Sequence, residues 1–332
     1  MQLYNKKKAV QRINELATQG KPFIFIINYA QDGSYIEEVS AVDSSQLLYQ
    51  FNGYTNALTP ECNSIDKKHT EPVLWEPHPI SFTQYKKSFD VVMNNILAGN
   101  SFLTNLTCMT PIRTNLSLKE VFYHSQAPYK LWLKDRFVVF SPEIFIRIHQ
   151  RQISSYPMKG TIDAALPHAE ELLMTDEKEA AEHATIVDLI RNDLSIVASQ
   201  VNVSRYRYVD SIETNHGPIL QTSSEIRGIL PDDYLFRLGE IIFTLLPAGS
   251  ITGAPKCKTS QIIAQSETYD RGFYTGIAGC FDGESLDSAV MIRFIEKSAD
   301  GLAFKSGGGI TCKSCAENEY NEMIQKVYVP IC

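Results

Sequence analysis

Apolar residues recur with a two-residue period in several short runs, which predicts β-strands. Pro22 to Tyr29 and Tyr35 to Val39 are rich in β-forming residues, and the Gln-Asp-Gly sequence between them predicts a hairpin. Phe137 to Phe140 and Ile144 to Ile148 lie on either side of a Ser-Pro pair. We expect these two runs to be strands of one half-buried sheet.

A period of three to four residues predicts three helices elsewhere. The first has Ser81 as its N-cap and Gly99 as its stop signal, and the second runs from Thr175 to about Ala198. The third begins in Ser314-Cys315-Ala316-Glu317, which has the form of a capping box. Each of these segments carries an apolar stripe that a helix would bury.

Further strand-like runs lie in the last third of the chain. Tyr274 to Phe281 and Ser288 to Ile295 predict one strand each, and a third run leads into the triple glycine 307–309. Strands and helices do not alternate as in a βαβ fold, so the pattern favours an α+β fold with mainly antiparallel sheets.

No repeat or flexible linker divides the chain into independent domains. Proline and polar residues over Thr59 to Pro79 predict an irregular connection. We therefore interpret residues 1–80 as an N-terminal β-rich part of one compact unit and residues 81–332 as its catalytic region.

Composition narrows the class of protein. The 332 residues are 44% hydrophobic and 21% charged, which indicates a globular chain with a large core. The net charge is −7 and the only basic run is Lys6 to Lys8, so we expect no nucleic-acid partner. The apolar run Phe23 to Ile27 is too short for a signal or a membrane span. Seven cysteines without a disulfide pattern suit a reducing compartment, so a cytoplasmic protein is expected.

Two pairs of glutamates could form a metal site. Glu179 with Glu182 and Glu319 with Glu322 are each three residues apart, so each pair lies on one face of a predicted helix. Such carboxylates suit Mg2+, which takes one or two carboxylates plus water and substrate oxygens. The alternative is that they are ordinary solvated helix residues.

Glycines and one lysine are further candidates for chemistry. Gly307, Gly308 and Gly309 could bring backbone N–H groups close to an anion, or form a plain turn. Lys159 lies at the end of a predicted strand, where desolvation would make its amine a nucleophile, although most lysines extend into solvent. The Gly249 to Lys256 segment fails the P-loop pattern because Pro255 occupies a required glycine position.

Taken together, these segments resemble the chorismate-binding enzymes, from about Ser81 to Val327. The motifs that carry the resemblance are Gly99 to Thr107, Ser141-Pro142-Glu143, Lys159-Gly160-Thr161, Glu182-His183 with Ile186 to Asp193, Leu246 to Lys256, Arg271 with Tyr274-Thr275-Gly276, Ile292-Arg293, and Gly308 to Glu322. The resemblance implies two large antiparallel sheets packed as a sandwich, with helices outside and the site between the sheets.

The resemblance also implies a set of ligands. Glu182 and Glu322 would be the principal Mg2+ ligands, supported by Glu179 and Glu319, and the metal would take the ring carboxylate of chorismate. The enolpyruvyl carboxylate would bind Arg293 and Tyr274. Backbone N–H groups around Gly160, Thr161 and the triple glycine would complete the anion cradle.

Lys159 distinguishes between members of the family. Anthranilate, isochorismate and salicylate synthases typically have alanine at this position, whereas component I of aminodeoxychorismate synthases has lysine. The resemblance therefore implies that Lys159 directs amination to C4 of chorismate, on the route to 4-aminobenzoate and folate. Glu143 matches the family's general acid for the departing hydroxyl. The alternatives are an anthranilate synthase large subunit and a non-catalytic partner subunit with the same fold.

The chain shows no glutaminase element, so we expect ammonia from a separate glutamine amidotransferase subunit and pyruvate removal by a separate lyase. Gln221 occupies the place of a histidine that the family often has, and His216 is not expected to replace it. The tryptophan-binding signature of regulated relatives is missing, so feedback inhibition by tryptophan is not expected.

Overall fold

The structure is a computed structural model that describes residues 1–58, 72–214 and 217–329. Most of the connection predicted over Thr59 to Pro79, and also His216, lie outside these ranges. The described residues form eight α-helices: α1 (Lys6–Thr18), α2 (Phe82–Leu97), α3 (Leu118–His124), α4 (Ala169–Thr175), α5 (Glu177–Val197), α6 (Leu238–Thr244), α7 (Lys256–Ser266) and α8 (Ala316–Gln325).

The same described ranges contain nineteen strands. They are β1 (Leu3–Tyr4), β2 (Phe23–Ile27), β3 (Ser34–Glu38), β4 (Leu47–Phe51), β5 (Tyr54–Thr55), β6 (Trp75–Pro77), β7 (Leu103–Thr114), β8 (Tyr129–Leu133), β9 (Phe137–Ser141), β10 (Ile144–His149), β11 (Gln152–Ser155), β12 (Met158–Asp163), β13 (Ser199–Thr214), β14 (Gly217–Ile229), β15 (Gly253–Ala254), β16 (Ile277–Phe281), β17 (Leu286–Val290), β18 (Phe294–Ser298) and β19 (Gly301–Ile310).

The strands form two antiparallel sheets. The ten-stranded sheet has the order β1-β3-β2-β16-β17-β10-β11-β14-β12, with β13 paired to β14. The nine-stranded sheet has the order β15-β7-β19-β18-β9-β8-β4-β5, with β6 paired to β7. The predicted α+β class is confirmed, as is the hairpin of β2 and β3.

Strand β2 shows how the layers form. All five of its residues are buried, because one face meets the other sheet and the opposite face meets helices. Ile24 and Ile26 belong to the core between the sheets, whereas Phe23, Phe25 and Ile27 belong to a core that includes α1 and α6 residues. This alternation is that of a strand covered on both faces. The expected sandwich with outer helices is therefore confirmed.

The predicted helices form, with one difference at a cap. Ser81 caps α2 in a capping box with Gln84, and Asp176 caps α5. The capping box expected at Ser314 is wrong. Helix α8 has Cys315 as its N-cap without a side-chain hydrogen bond, and the Ser314 hydroxyl instead accepts from the Thr311 N–H at 3.2 Å.

The chain crosses between the sheets at two adjacent points that the sequence did not predict. Strands β9 and β10 lie in different sheets, so the expectation of one shared sheet is wrong. The strand expected over Ser288 to Ile295 is likewise divided into β17 and β18, in different sheets. The two crossings are joined where Phe140 N–H donates to Arg293 O at 3.1 Å and Val290 N–H donates to Glu143 O at 3.0 Å.

Local backbone features explain both crossings. Pro142 has no N–H to donate to a ladder, so the first strand must end there. Arg293 has a φ of 52°, which is incompatible with a regular strand. Consequently Glu143 and Arg293 both lie at the seam between the two sheets.

The triple glycine lies inside β19 and not after a strand, so the alternative of a plain turn is wrong. Gly307, Gly308 and Gly309 pair with residues of β7. A Cβ on Gly307 would lie 2.3 Å from the Leu106 carbonyl oxygen, so the close approach of the two strands requires glycine. The β18 ladder reaches β19 only as far as Lys305, so the other edge of the glycine stretch borders the cavity described below.

One described segment, Tyr234–Ile251, is long and apolar enough by composition to cross a membrane, but 61% of it is buried within the fold. It contains α6 and two 3-10 turns. The cysteines within the described ranges, Cys108, Cys257, Cys280, Cys312 and Cys315, are free.

Candidate active site

A cavity of about 570 Å³ opens at the seam between the sheets. Its lining comes from the β9–β10 and β17–β18 connections between the sheets, the start of β12, the glycine stretch of β19, and helices α5 and α8. The lining brings together all thirteen residues that the sequence singles out: Glu143, Lys159, Gly160, Thr161, Glu179, Glu182, Tyr274, Arg293, Gly307, Gly308, Gly309, Glu319 and Glu322. These residues come from segments up to about 180 positions apart in the chain, so only the fold could place them together.

Glu143 is accessible from the cavity and otherwise enclosed by protein. Burial raises the pKa of its carboxyl group, although a hydrogen bond from the Ser250 hydroxyl and the positive charges of Lys159 and Lys326 oppose this effect. A carboxyl group with a raised pKa can keep its proton at higher pH and deliver it to a leaving group. The position of Glu143 thus suits a general acid.

Lys159 lies at the start of β12, and not at the end of a strand as its sequence context predicted. Gly160 has a φ of 69°, and the pairing with β14 shifts register between Lys159 and Thr161. This bulge re-aims the neighbouring side chains. The Lys159 carbonyl also accepts a hydrogen bond from the Thr222 hydroxyl, which fixes the backbone.

The amino group of Lys159 lies above the glycine stretch. Its Nζ is 3.5 Å from Glu182 Oε2 and would be 3.4 Å from a Cβ on Gly309. A side chain at position 309 would therefore approach the amine, whereas glycine leaves that space open.

The four glutamates project from two helices, α5 and α8, that both line the cavity. A Cβ on Gly308 would lie 3.4 Å from Glu319 Oε2 and 3.6 Å from Glu322 Oε1, and one on Gly160 would lie 3.2 Å from Glu179 Oε2. Carboxylate oxygens are the donors that a hard cation takes. Within residues 1–58, 72–214 and 217–329, no three His, Cys, Asp or Glu side chains form a ready-made metal site.

Tyr274 and Arg293 lie at the seam. Tyr274 is buried, and burial raises the pKa of its phenol, so the hydroxyl stays protonated. The Arg293 guanidinium donates to the Lys326 carbonyl at 3.0 Å and lies 5.0 Å from the centre of the Tyr328 ring. Such a held guanidinium can offer its remaining N–H groups to a carboxylate.

Sequence reasoning missed two residues of this site. Lys326 Nζ is 2.6 Å from Glu322 Oε1 and donates to the Gly307 carbonyl at 2.9 Å. Ser250, which donates to Glu143, lies in the Leu246 to Lys256 motif. The spacing of Lys326 four residues after Glu322 is the signal that could have found it. Gln221 of β14, which replaces the family's histidine, also lines the cavity. It pairs with Thr161 of β12.

His183 is fully buried and anchors α5 to the ten-stranded sheet. Its Nε2 is 2.6 Å from the Ser224 hydroxyl, which also accepts from the Arg207 N–H at 2.9 Å. Burial, with the nearby charges of Arg207 and Lys159, lowers the pKa of His183 to about 4. The neutral ring holds this turn of α5 against the sheet. The preceding residue, Glu182, lines the cavity.

A further ion pair lies behind the cavity wall. Arg271 donates to both carboxylate oxygens of Glu267, at 2.8 and 2.7 Å, and to the carbonyls of Asn105 and Ile251. Glu267 also accepts from the Thr107 hydroxyl at 2.7 Å. This cluster joins β7 to the segments before β16, and so it supports the glycine strand from behind.

Comparisons with known proteins agree with the fold. The chorismate binding enzyme family matches residues 3–331. An uncharacterized PabA-like protein of Pasteurella multocida is 51% identical over 97% of this chain and 98% of its own length. Aminodeoxychorismate synthase component 1 of Bacillus subtilis is 28% identical, over 81% of this chain and 59% of its own.

Other members of the family are similarly distant. Anthranilate synthase component 1 of Aeropyrum pernix is 29% identical over 73% of this chain and 58% of its own. The structure of the menaquinone-specific isochorismate synthase of Escherichia coli shares the fold, with a TM-score of 0.73 and 16% identity over 98% of this chain and 82% of its own. Because the family match spans nearly all of the sequence, this protein belongs to the chorismate-binding enzyme family.

Proposed function

We propose that the protein is the chorismate-aminating component of an aminodeoxychorismate synthase and makes 4-amino-4-deoxychorismate from chorismate and ammonia. The observation that carries this proposal is the lysine at position 159, whose amine lies in the same cavity as Glu143. Overall identity does not separate the candidates, since relatives named as aminodeoxychorismate and anthranilate synthases are 28% and 29% identical.

The proposed reaction begins with loss of the C4 hydroxyl. The Lys159 amine attacks ring C2, both ring double bonds shift, and Glu143 protonates the departing C4 hydroxyl so that water is released. Ammonia then adds at C4, both double bonds shift back, the bond between C2 and Lys159 breaks, and the proton that the added ammonia loses returns to Glu143. The amine is regenerated, and the net change replaces the C4 hydroxyl with an amino group while the enolpyruvyl ether remains.

Substrate binding requires local positive charge because chorismate is a dianion and the chain has a net charge of −7. Arg293 and Tyr274 would hold the enolpyruvyl carboxylate, with backbone N–H groups near Gly160, Thr161 and the glycine stretch completing the cradle. Arg293 suits this role because a guanidinium can bind a carboxylate through two parallel hydrogen bonds.

Mg2+ fits the oxygen donors at the cavity. Glu182 and Glu322 would hold it, supported by Glu179 and Glu319, because all four carboxylates line the same cavity. When bound, the metal would supply the positive charge that the ring carboxylate of chorismate needs. The ammonia would come from a separate glutamine amidotransferase subunit. The protein would then act in the cytoplasm, in the synthesis of 4-aminobenzoate and folate.

Product analysis tests this proposal. Purified protein would be given chorismate, Mg2+ and ammonium at mildly alkaline pH, and the products identified by mass spectrometry. We expect an amino product that keeps its enolpyruvyl group and becomes 4-aminobenzoate only after a lyase is added. Anthranilate with free pyruvate would show that the protein is an anthranilate synthase, and the absence of any conversion would favour a non-catalytic subunit.

A further inference from the structure

The two carboxylates with the principal role in the proposed metal site each contact a lysine ammonium group. Glu182 Oε2 is 3.5 Å from Lys159 Nζ, and Glu322 Oε1 is 2.6 Å from Lys326 Nζ. The first pair joins α5 to β12. The second pair joins Glu322 of α8 to Lys326, which is the C-cap residue of the same helix. The same arrangement thus occurs twice in the lining of one cavity.

Both ammonium groups also lie beside the glycine stretch of β19. Lys326 donates to the Gly307 carbonyl at 2.9 Å. The Lys159 ammonium lies where a Cβ on Gly309 would be 3.4 Å away. Because both charges also influence the pKa of Glu143, the two ammonium groups lie in one electrostatic environment. Both ammonium groups therefore lie within electrostatic reach of the proposed general acid.

A divalent cation and an ammonium group compete for the same carboxylate oxygens. Mg2+ at about 2.1 Å from a carboxylate oxygen repels an ammonium group hydrogen-bonded to the same carboxylate, because the two positive charges then lie only a few ångströms apart. By contrast, the Lys305 ammonium is fully engaged elsewhere, with Glu296 at 2.6 Å and the carbonyls of Asp270 and Arg271.

We propose that Lys159 and Lys326 are built-in counter-ions that occupy the cation positions beside Glu182 and Glu322 and compete with the divalent metal. This inference rests on the metal site of the proposed function. It adds that both lysines must leave their carboxylates before these oxygens can bind the metal. Lys159 then turns from Glu182 toward the substrate, so its amine becomes available only in a loaded site.

Metal binding without substrate tests the inference directly. Mn2+ would serve as the probe, with free Mn2+ measured by electron paramagnetic resonance during titration of the full-length protein. Lys326→Gln removes the charge but keeps a donor for the Gly307 carbonyl, and Lys159→Met removes the second charge. We expect each variant to bind Mn2+ about tenfold more tightly than the wild type, because a unit positive charge next to a ligand oxygen is lost.

Lys86→Met is the matched control. Lys86 Nζ is 2.8 Å from Asp90 Oδ2 in the same i,i+4 geometry as the Lys326 pair, but both residues lie on α2 outside the cavity lining. This substitution should leave the affinity for Mn2+ unchanged. Unchanged or weaker binding in both Lys326→Gln and Lys159→Met would overturn the inference.

Thermal unfolding provides a second readout that needs no activity. Without metal, both cavity variants should melt at lower temperature than the wild type, because carboxylates lose a counter-ion; with Mg2+ added they should gain more in melting temperature. Equal gains in all proteins would contradict the inference. If neither the wild type nor any variant binds Mn2+, the proposed metal site fails together with the inference. If the wild type binds Mn2+ without tightening in the variants, only the inference fails.

Discussion

The two ion pairs of the cavity and the ion pair behind its wall have the same kind of charged partners but differ in how far they are exposed to solvent. Arg271 and Glu267 have side chains 2% and 3% exposed, and further protein donors and acceptors surround the pair. Lys159 and Glu182 are 24% and 12% exposed, and Lys326 and Glu322 are 31% and 52% exposed. The first pair cannot exchange partners without losing several hydrogen bonds, whereas the cavity pairs face a space that a ligand can enter.

This difference separates structural charges from functional ones. A buried pair that loses one partner leaves an uncompensated charge, so it is costly to break. A partly exposed pair contributes little to stability and can be redirected to a substrate or metal. We therefore expect substitutions in the cavity to change chemistry, and substitutions behind the wall to change folding.

The largest effect is expected for Lys159→Ala. Removal of the nucleophile should lower the rate of C4 amination by about 10⁴-fold or more, the range seen when a catalytic nucleophile is lost. Chromatography of the products with ammonium as the nitrogen source measures it. Lys86→Ala, on the surface of α2, serves as the control, and unchanged amination in Lys159→Ala would remove this residue from the mechanism.

Glu143→Gln should lower kcat by about 10²- to 10⁴-fold, because the amide cannot deliver a proton. In the wild type, the rate should fall as pH rises through the raised pKa of Glu143, since only the protonated carboxyl is a general acid. The residual rate of the variant should not show this fall with rising pH. A pH profile of kcat with the same descending limb in both proteins would contradict the assignment.

Behind the wall, Glu267→Gln should destabilise the fold by about 3–5 kcal/mol, because Arg271 remains buried without its counter-ion. Urea unfolding followed by circular dichroism measures the free energy. If the loss were below about 1 kcal/mol, the distinction between the two kinds of ion pair would collapse.

His183 contributes a pH-dependent effect of intermediate size. Its pKa of about 4 in the folded protein lies below its ordinary value of 6.5, so its contribution to stability is complete above pH 6.5 and is lost as pH falls through 4. The expected loss is about 3 kcal/mol across this window. Urea unfolding at pH 7 and pH 4.5 should show this loss in the wild type and a smaller one in His183→Gln; equal losses would argue against it.

The smallest effect on stability is expected for Lys326→Met. Because the pair with Glu322 is partly exposed, its loss should change the free energy of unfolding by no more than about 1 kcal/mol. The same urea experiment used for Glu267→Gln provides the comparison. A loss as large as that of Glu267→Gln would place Lys326 among the structural charges.

Local pattern predicted much of the fold but not how its parts meet. The helix with Ser81 as its cap and the β2–β3 hairpin form as predicted, because capping, apolar periodicity and turn residues act over a few positions. The crossings at Glu143 and Arg293 were missed, since strand periodicity does not state which sheet a strand joins. Lys326 and Ser250 were missed for a related reason: their contacts with Gly307 and Glu143 span 19 and 107 positions.

The most direct test of the central claim is the ring position of the nitrogen that the enzyme adds. The protein would convert chorismate with Mg2+ and ¹⁵N-labelled ammonium, and nuclear magnetic resonance of the isolated product would identify the carbon bonded to ¹⁵N. We predict ¹⁵N on C4 of a product that keeps its enolpyruvyl group. Nitrogen on C2 would contradict the role of Lys159 and the proposed function with it.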